Sequence, residues 1–281
     1  MIRNSATYWM GRARSEGWAL GMFNAHHLEA VQAVAAAAHH LHAPVMLGTT
    51  MGGLKHVGLD YFVAMAEVAR RHCTAPLILH LDHGADYETA RRCIDSGFDS
   101  VMIDASSGAY EANVELVRRV VALARRHGAG VEAQIGETLA EEGPEAVERK
   151  TAPEEAVRFV KDTGIDYLAV SIGSTPGQLH GAPAIDVALA RAIAGAVGIP
   201  LVLHGGTSVP AQVVRDVVAA GVAKVNIDAA IKGAFRQALT ERYAVADPIV
   251  DTRKPMAEAR ALAQQAVEEK IRLFGAEGRA G

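Results

Sequence analysis

The feature that most constrains the fold of this chain is a repeated alternation of short apolar runs with longer segments of helical period. The runs are almost continuously apolar, as at residues 77–79 and 201–203. Such runs are typical of strands that helices cover on both faces, and therefore of a parallel sheet. Eight runs occur in order, which is the pattern of a closed (β/α)8 TIM barrel. The predicted strands span residues 18–25, 44–50, 76–83, 100–105, 130–136, 167–173, 200–206 and 223–229.

A doubly wound open sheet is the alternative fold. The glycine-rich dinucleotide fingerprint of that fold does not follow the first predicted strand. No change of composition marks a linker, so we expect one α/β domain over residues 1–281 with a C-terminal helical extension at 255–274. The chain is 50% hydrophobic and 21% charged, which supplies a buried core and excludes global disorder.

Charge and targeting signals favour small-molecule chemistry. The formal net charge is −4, and basic and acidic residues are interleaved, so no nucleic-acid partner is expected. No apolar run approaches the roughly 18 to 20 residues of a membrane span, and residues 1–21 lack a secretory signal pattern. Cys73 and Cys93 are too few for a disulfide framework. We therefore predict a cytoplasmic location without membrane association.

Polar residues gather where the predicted strands end, which in such barrels is the end that carries the chemistry. His83 and His204 each close a buried apolar run, and each is followed by a glycine that permits close approach. Two imidazoles that converge from different strands can hold a divalent metal such as zinc. The alternative is that both only form hydrogen bonds within the barrel rim.

Asp82 stands beside His83 and has the makings of a general acid/base on a partly desolvated strand end. Adjacent strand residues point to opposite faces, so both side chains can serve one site only if the chain turns there. Gly84 makes such a turn easy. The alternative role of Asp82 is to cap the helix that follows.

A glycine-rich segment after the seventh strand offers an anion cradle. Gly205, Gly206 and Thr207 supply backbone N–H groups and a hydroxyl ahead of a helix. With Asn226 on the next strand, they form the kind of phosphate site often built after strands seven and eight.

The longest connection, residues 137–151, contains Glu142. It is either a solvated run of charges or a mobile lid that brings a carboxylate over the barrel mouth.

Five strand-end motifs together resemble the class II, metal-dependent fructose- and tagatose-bisphosphate aldolases. The resemblance is carried in order by residues 23–26, 79–84, 131–136, 203–207 and 224–228, and extends to 251–255 and 270–275. It implies a (β/α)8 barrel, a homodimer or homotetramer, and zinc or another divalent ion. It also implies reversible cleavage of a sugar phosphate into a dihydroxyacetone-phosphate-like ketone and an aldehyde.

The resemblance also implies roles for individual residues. Asp82 is similar to the acid/base of these aldolases, Glu142 to their mobile-loop carboxylate, and His83 and His204 to metal ligands. The implied substrate contacts are Asn24, Thr49, Gly177, Gly205, Gly206, Thr207, Asn226 and Asp228.

The sequence departs from the family pattern around the sixth strand. Pro176 stands where the family has a third metal-binding histidine, and we expect His180 to replace it. Gln134 and Ala229 also replace usual residues, which favours a substrate other than the usual bisphosphate. Two further readings remain: a Schiff-base enzyme that uses Lys224, and a barrel that binds a sugar phosphate without catalysis.

Overall fold

The computed structural model describes residues 4–136, 149–174, 177, 179–244 and 251–281. Within these residues, parallel strands pair in chain order, and the first pairs with the last to close a barrel. This confirms the predicted (β/α)8 barrel. The strands are β1 (Leu20–Asn24), β2 (Val45–Thr50), β3 (Leu77–Gly84), β4 (Ser100–Ile103), β5 (Gly130–Ile135), β6 (Tyr167–Val170), β7 (Leu201–Leu203) and β8 (Val222–Ile227).

Helices follow the strands and cover the outside of the barrel. In the described part of the chain they are α1 (Ala6–Glu16), α2 (Leu28–His40), α3 (Met51–Val57), α4 (Leu59–His72), α5 (Tyr87–Asp95), α6 (Tyr110–His127), α7 (Pro153–Thr163), α8 (Val187–Val197), α9 (Ala211–Ala219), α10 (Ala229–Tyr243) and α11 (Arg253–Leu273). None of them is both long and apolar enough to cross a bilayer.

The last helix, α11, packs the C-terminal part of the chain against its N-terminal part. Small and branched apolar residues recur every four positions on α11, at Ala259, Ala263, Val267 and Ile271, and all four are buried. This stripe lies on the side of α11 that packs against α2 and α10. The Ala19 N–H, just ahead of β1, donates to the carbonyl of Phe274 at 3.0 Å. The extension predicted at 255–274 is therefore a structural brace of the barrel.

The barrel interior combines an apolar lining with a sealed polar layer. The apolar lining includes the fully buried Met22 and Met46. The polar layer consists of five fully buried residues, all on strands: His80, Ser100, Glu132, Tyr167 and Lys224. The layer lies directly beneath the strand ends where the predicted site residues gather.

Candidate active site

A break in the regular pairing of β3 brings two adjacent side chains to one site. The register between β3 and β4 shifts between Leu81 and Gly84, and His83 adopts a left-handed φ of 51°. This bulge interrupts the strict alternation of faces, so Asp82 and His83 both reach the barrel mouth. The turn that the sequence required is therefore present. Asp86, rather than Asp82, caps α5, since its Oδ1 accepts the Thr89 N–H at 2.7 Å.

Gly84 makes this bulge possible through close backbone approach. A Cβ at position 84 would lie 2.6 Å from the carbonyl oxygen of Met102 on β4. Only glycine allows the two strands to approach so closely at this point.

Among the described residues, Asp82, His83 and His204 form a group whose side chains could hold a metal ion. One ligand atom from each lies within 4.8 Å of the others. His83 Nδ1 is 2.8 Å from Asp104 Oδ2, and His204 Nε2 is 2.9 Å from Glu132 Oε1. Because carboxylates accept, both of these ring nitrogens donate, and the lone pairs are left on the opposite nitrogens.

Those opposite nitrogens, His83 Nε2 and His204 Nδ1, face each other at 2.9 Å. Two lone pairs at this distance repel unless a proton or a metal ion lies between them. Imidazoles held through their other nitrogen by a carboxylate are the usual arrangement around a protein-bound metal. The donor set therefore fits a divalent cation.

The electrostatics of the cluster depend on its acidic neighbours. Burial disfavours the charged imidazole of His83, but Asp82 and the hydrogen bond to Asp104 outweigh this and raise its pKa to about 9. At Asp104 burial raises the pKa, but that hydrogen bond, the charge of His83 and the hydrogen bonds from Ser106 together outweigh burial and lower the pKa to about 2. His83 therefore attracts a positive charge, which either a proton or a metal ion can supply.

Asp82 is held as an ionised carboxylate between two amides. It is 3% exposed, and it accepts from Asn24 Nδ2 at 2.8 Å and from Asn226 Nδ2 at 3.0 Å. Burial pushes its pKa upward, but His83, His204 and Lys224 outweigh burial and hold the pKa below its usual range. An ionised carboxylate in a dry site is suited to take a proton from a substrate.

Three buried oxygens of predicted site residues have no hydrogen-bond partner among the described residues. They are Asn24 Oδ1, Asn226 Oδ1 and Thr49 Oγ1. Buried polar atoms are rarely left unpaired, so these atoms mark where a ligand supplies the missing partners. The structure thus places the predicted Asn24 and Asn226 together at Asp82. The Thr49 hydroxyl instead lies beside Gly53 and His26, since a Cβ at position 53 would clash with both Thr49 Oγ1 and His26 Nδ1.

The predicted anion cradle is only partly free. The Gly206 N–H donates to the Asn226 carbonyl at 3.1 Å, and Thr207 Oγ1 accepts from the Ala230 N–H at 3.3 Å. Lys270 of α11 reaches the Thr207 carbonyl at 3.0 Å and adds a cation that the sequence prediction missed. Asp228 is 3.5 Å from His26 Nε2 and is also paired with Lys232.

His180 lies outside the ligand cluster. It is exposed and lines a cavity of about 710 Å³ together with Thr207, Gly233 and Lys270. The described residues therefore do not support His180 as the third metal ligand. Gly177 is exposed with a left-handed φ of 80°. Glu142 and Pro176 lie outside the described residues.

Two carboxylates of the site were not predicted as functional residues. Asp104 and Glu132 each form a hydrogen bond with a histidine of the candidate metal site. Asp104 directly follows β4, so its position at a strand end was an available signal. Glu132 lies in the middle of β5, and its only signal was its place in the family-like motif at 131–136.

Comparison with known proteins agrees with this geometry. The family model described as fructose-bisphosphate aldolase class-II matches residues 4–279. The chain belongs to the class II fructose-bisphosphate aldolase family. It is accordingly an aldolase, a carbon–carbon lyase of a metal-dependent class.

The proteins to which this aldolase is similar match it over nearly the whole chain. The probable fructose-bisphosphate aldolase of Bacillus subtilis is 35% identical over 98% of this chain and 99% of its own. The fructose-bisphosphate aldolase of Geobacillus stearothermophilus is 37% identical over 94% of this chain and 93% of its own.

Two crystal structures share the fold. The YdjI aldolase of Escherichia coli K12 superposes with a TM-score of 0.86 at 29% identity, covering 98% of both chains. A putative fructose-1,6-biphosphate aldolase of Coccidioides immitis gives a TM-score of 0.89 at 30% identity, covering 100% of this chain and 99% of its own.

The structure does not support the hypothesis that this aldolase forms a Schiff base through Lys224. Lys224 is fully buried, and its Nζ lies 2.7 Å from Glu132 Oε2 and 3.2 Å from His80 Nε2. An amine sealed in the barrel interior and held in this way is not accessible to a carbonyl substrate.

Proposed function

We propose that this aldolase uses zinc to cleave a ketose phosphate reversibly into a dihydroxyacetone-phosphate-like ketone and an aldehyde. The single observation that carries the proposal is the pair of facing imidazole nitrogens, 2.9 Å apart, beside the ionised Asp82. Lone pairs directed at one point next to a base are what this chemistry requires. We further propose that the chain acts as one domain, in the cytoplasm, and as a homodimer or homotetramer.

His83 and His204 would hold the metal ion. When bound, the ion supplies a Lewis acid that stabilises the negative charge developing on the ketone oxygen of the substrate. Catalytic zinc usually keeps three protein ligands. His180 would provide the third only if its exposed loop moved toward the cluster.

Asp82 is proposed as the base that begins cleavage. Its carboxylate takes the proton from the hydroxyl on one of the two carbons joined by the bond that breaks. The O–H electron pair then forms the aldehyde carbonyl, and the electrons of the carbon–carbon bond pass into the enediolate of the other fragment. Asn24 and Asn226 hold Asp82 in place for this step. Protonation of the enediolate carbon completes the reaction, and Glu142 is the proposed donor.

The remaining polar groups are proposed to bind the substrate. The unpartnered oxygens of Asn24 and Thr49 would accept hydrogen bonds from its hydroxyls. Thr207, with Gly205, Gly206 and Asn226, would bind a phosphate near the Lys270 ammonium. Gly177 and Asp228 are proposed to lie at the edge of the same pocket.

Metal removal tests this function directly. A strong chelator should abolish cleavage of fructose 1,6-bisphosphate, of tagatose 1,6-bisphosphate and of the corresponding monophosphates, because the Lewis acid is lost. Restored zinc should recover cleavage of at least one of them, measured as triose phosphate released. Full activity in the presence of the chelator would overturn the proposal.

A further inference from the structure

We propose that Glu132 is a positioning residue that sets the tautomer of His204, and that Lys224 and His80 hold Glu132 in place for this purpose. The inference rests on the proposed metal site. It concerns the sealed polar layer inside the barrel, formed by Glu132, Lys224, His80, Ser100 and Tyr167.

The polar layer is a continuous chain of hydrogen bonds that leads from His204 into the barrel. Glu132 Oε1 is 2.9 Å from His204 Nε2, and Glu132 Oε2 is 2.7 Å from Lys224 Nζ. Lys224 Nζ is also 3.2 Å from His80 Nε2. The chain continues from His80 Nδ1 to Ser100 Oγ at 2.8 Å, and Ser100 Oγ contacts the Tyr167 hydroxyl. Each link joins residues of different strands.

Elementary donor and acceptor rules fix the direction of these bonds. A lysine ammonium only donates, so Glu132 Oε2 and His80 Nε2 accept from Lys224. Because His80 Nε2 accepts from Lys224, the ring proton of His80 lies on Nδ1, which donates to Ser100 Oγ. With one Glu132 oxygen bound by Lys224, the other accepts the N–H of His204. That choice leaves the His204 lone pair on Nδ1, which faces His83.

Stability alone does not account for four ionisable groups that are fully buried in this layer. A buried ion pair is often no more stabilising than apolar residues of similar volume. The layer ends at the nitrogen of a proposed metal ligand rather than at the protein surface. The hydrogen bond from His204 to this layer fixes the orientation and the tautomer of the His204 ring, and metal binding requires both.

Two double variants separate this role from a structural one. The Met/Met variant combines Glu132→Met with Lys224→Met, and the Gln/Met variant combines Glu132→Gln with Lys224→Met. Each variant removes both charges of the Glu132–Lys224 pair. Only the second keeps an oxygen that accepts from His204, and its new amide N–H can donate to the nearby His80 Nε2, which is 3.8 Å from the original Glu132 Oε2. The two variants therefore differ mainly in whether residue 132 offers an oxygen that accepts from His204 Nε2.

Each apoprotein is titrated with zinc against a chromophoric chelator, and its unfolding is followed in urea. We expect the Met/Met variant to bind zinc about 10- to 100-fold more weakly than the Gln/Met variant, while its resistance to urea is equal or higher. With cobalt in place of zinc, the visible spectrum of the Gln/Met variant should match the wild type and that of the Met/Met variant should not. Thr163→Val removes a buried hydrogen bond to the Phe159 carbonyl, remote from the site, and controls for loss of stability alone.

The outcomes separate the two proposals. Equal zinc affinity of the two double variants would overturn the positioning role. Equal affinity of the wild type and His204→Ala would instead show that His204 is not a ligand, and the proposed metal site would fail. If a double variant does not fold, the single variants Glu132→Gln and Glu132→Met repeat the comparison with Lys224 present.

Discussion

At the scale of single residues, function depends on which atoms of Asp82 and the two histidines are free to react. Asn24 and Asn226 hold both carboxylate oxygens of Asp82, while Asp104 and Glu132 leave one nitrogen free on each ring. The residue types at these strand ends were predictable, since parallel strands of a barrel end at one rim. The hydrogen bonds between these side chains were not predictable, because they join residues that are far apart in the sequence and depend on side-chain rotamers.

Asp82→Ala should lower kcat by about 10²- to 10⁴-fold, because the substrate hydroxyl loses its base. Zinc should still bind through His83 and His204, as measured by metal analysis of the purified variant. Asp86→Ala is the matched control: it removes the cap of α5, costs about 1 kcal/mol of stability and leaves kcat unchanged. Wild-type turnover in Asp82→Ala would rule out the acid/base role.

At the scale of elements, the strands were easier to predict than some helices. All eight barrel strands coincide with predicted apolar runs, although β7 is only three residues long within its predicted range. The segments of helical period in the sequence are residues 28–42, 61–72, 87–96, 112–127, 153–163, 185–196, 210–220 and 255–274, and they do not include α1, α3 or α10. All three contain glycine, which lowers helix propensity: α3 has two glycines in seven residues, α1 has Gly11 and α10 has Gly233. Their sequences therefore carry a weak helical signal, and tertiary packing decides the outcome.

Gly84→Ala tests whether the bulge in β3 builds the site. The new Cβ would meet the Met102 carbonyl at 2.6 Å, and a strand backbone inside a closed barrel has little room to move. We expect a loss of about 1–3 kcal/mol in the free energy of unfolding, together with weaker zinc binding as Asp82 and His83 shift.

Gly195→Ala is the control for that substitution. Gly195 is exposed in α8, and a Cβ there meets nothing within 4 Å. This change should raise stability by about 0.5–1 kcal/mol and leave zinc binding unaltered. Unchanged zinc affinity in Gly84→Ala would mean that the bulge is not what aligns Asp82 with His83.

At the scale of the whole molecule, the barrel separates what holds the fold together from what carries out the reaction. The strand ends carry most of the site, whereas α11 packs against α2 and α10 outside the barrel and adds only Lys270 to the site. The closed topology follows from a pattern repeated along the chain, so it was predictable. The position of His180 depends on the conformation of one irregular connection, for which the sequence holds no periodic signal.

Ile271→Ala should show this separation. Ile271 is fully buried on α11, so its truncation leaves a cavity and should cost about 2–5 kcal/mol in the free energy of unfolding. Urea unfolding would measure that loss, while kcat at 25 °C should equal the wild-type value wherever the variant is folded. Glu269→Ala, at an exposed position of the same helix, should change stability by no more than about 0.5 kcal/mol. A folded Ile271→Ala variant with reduced kcat would show that the packing of Ile271 also positions the neighbouring Lys270, which bonds to the Thr207 carbonyl.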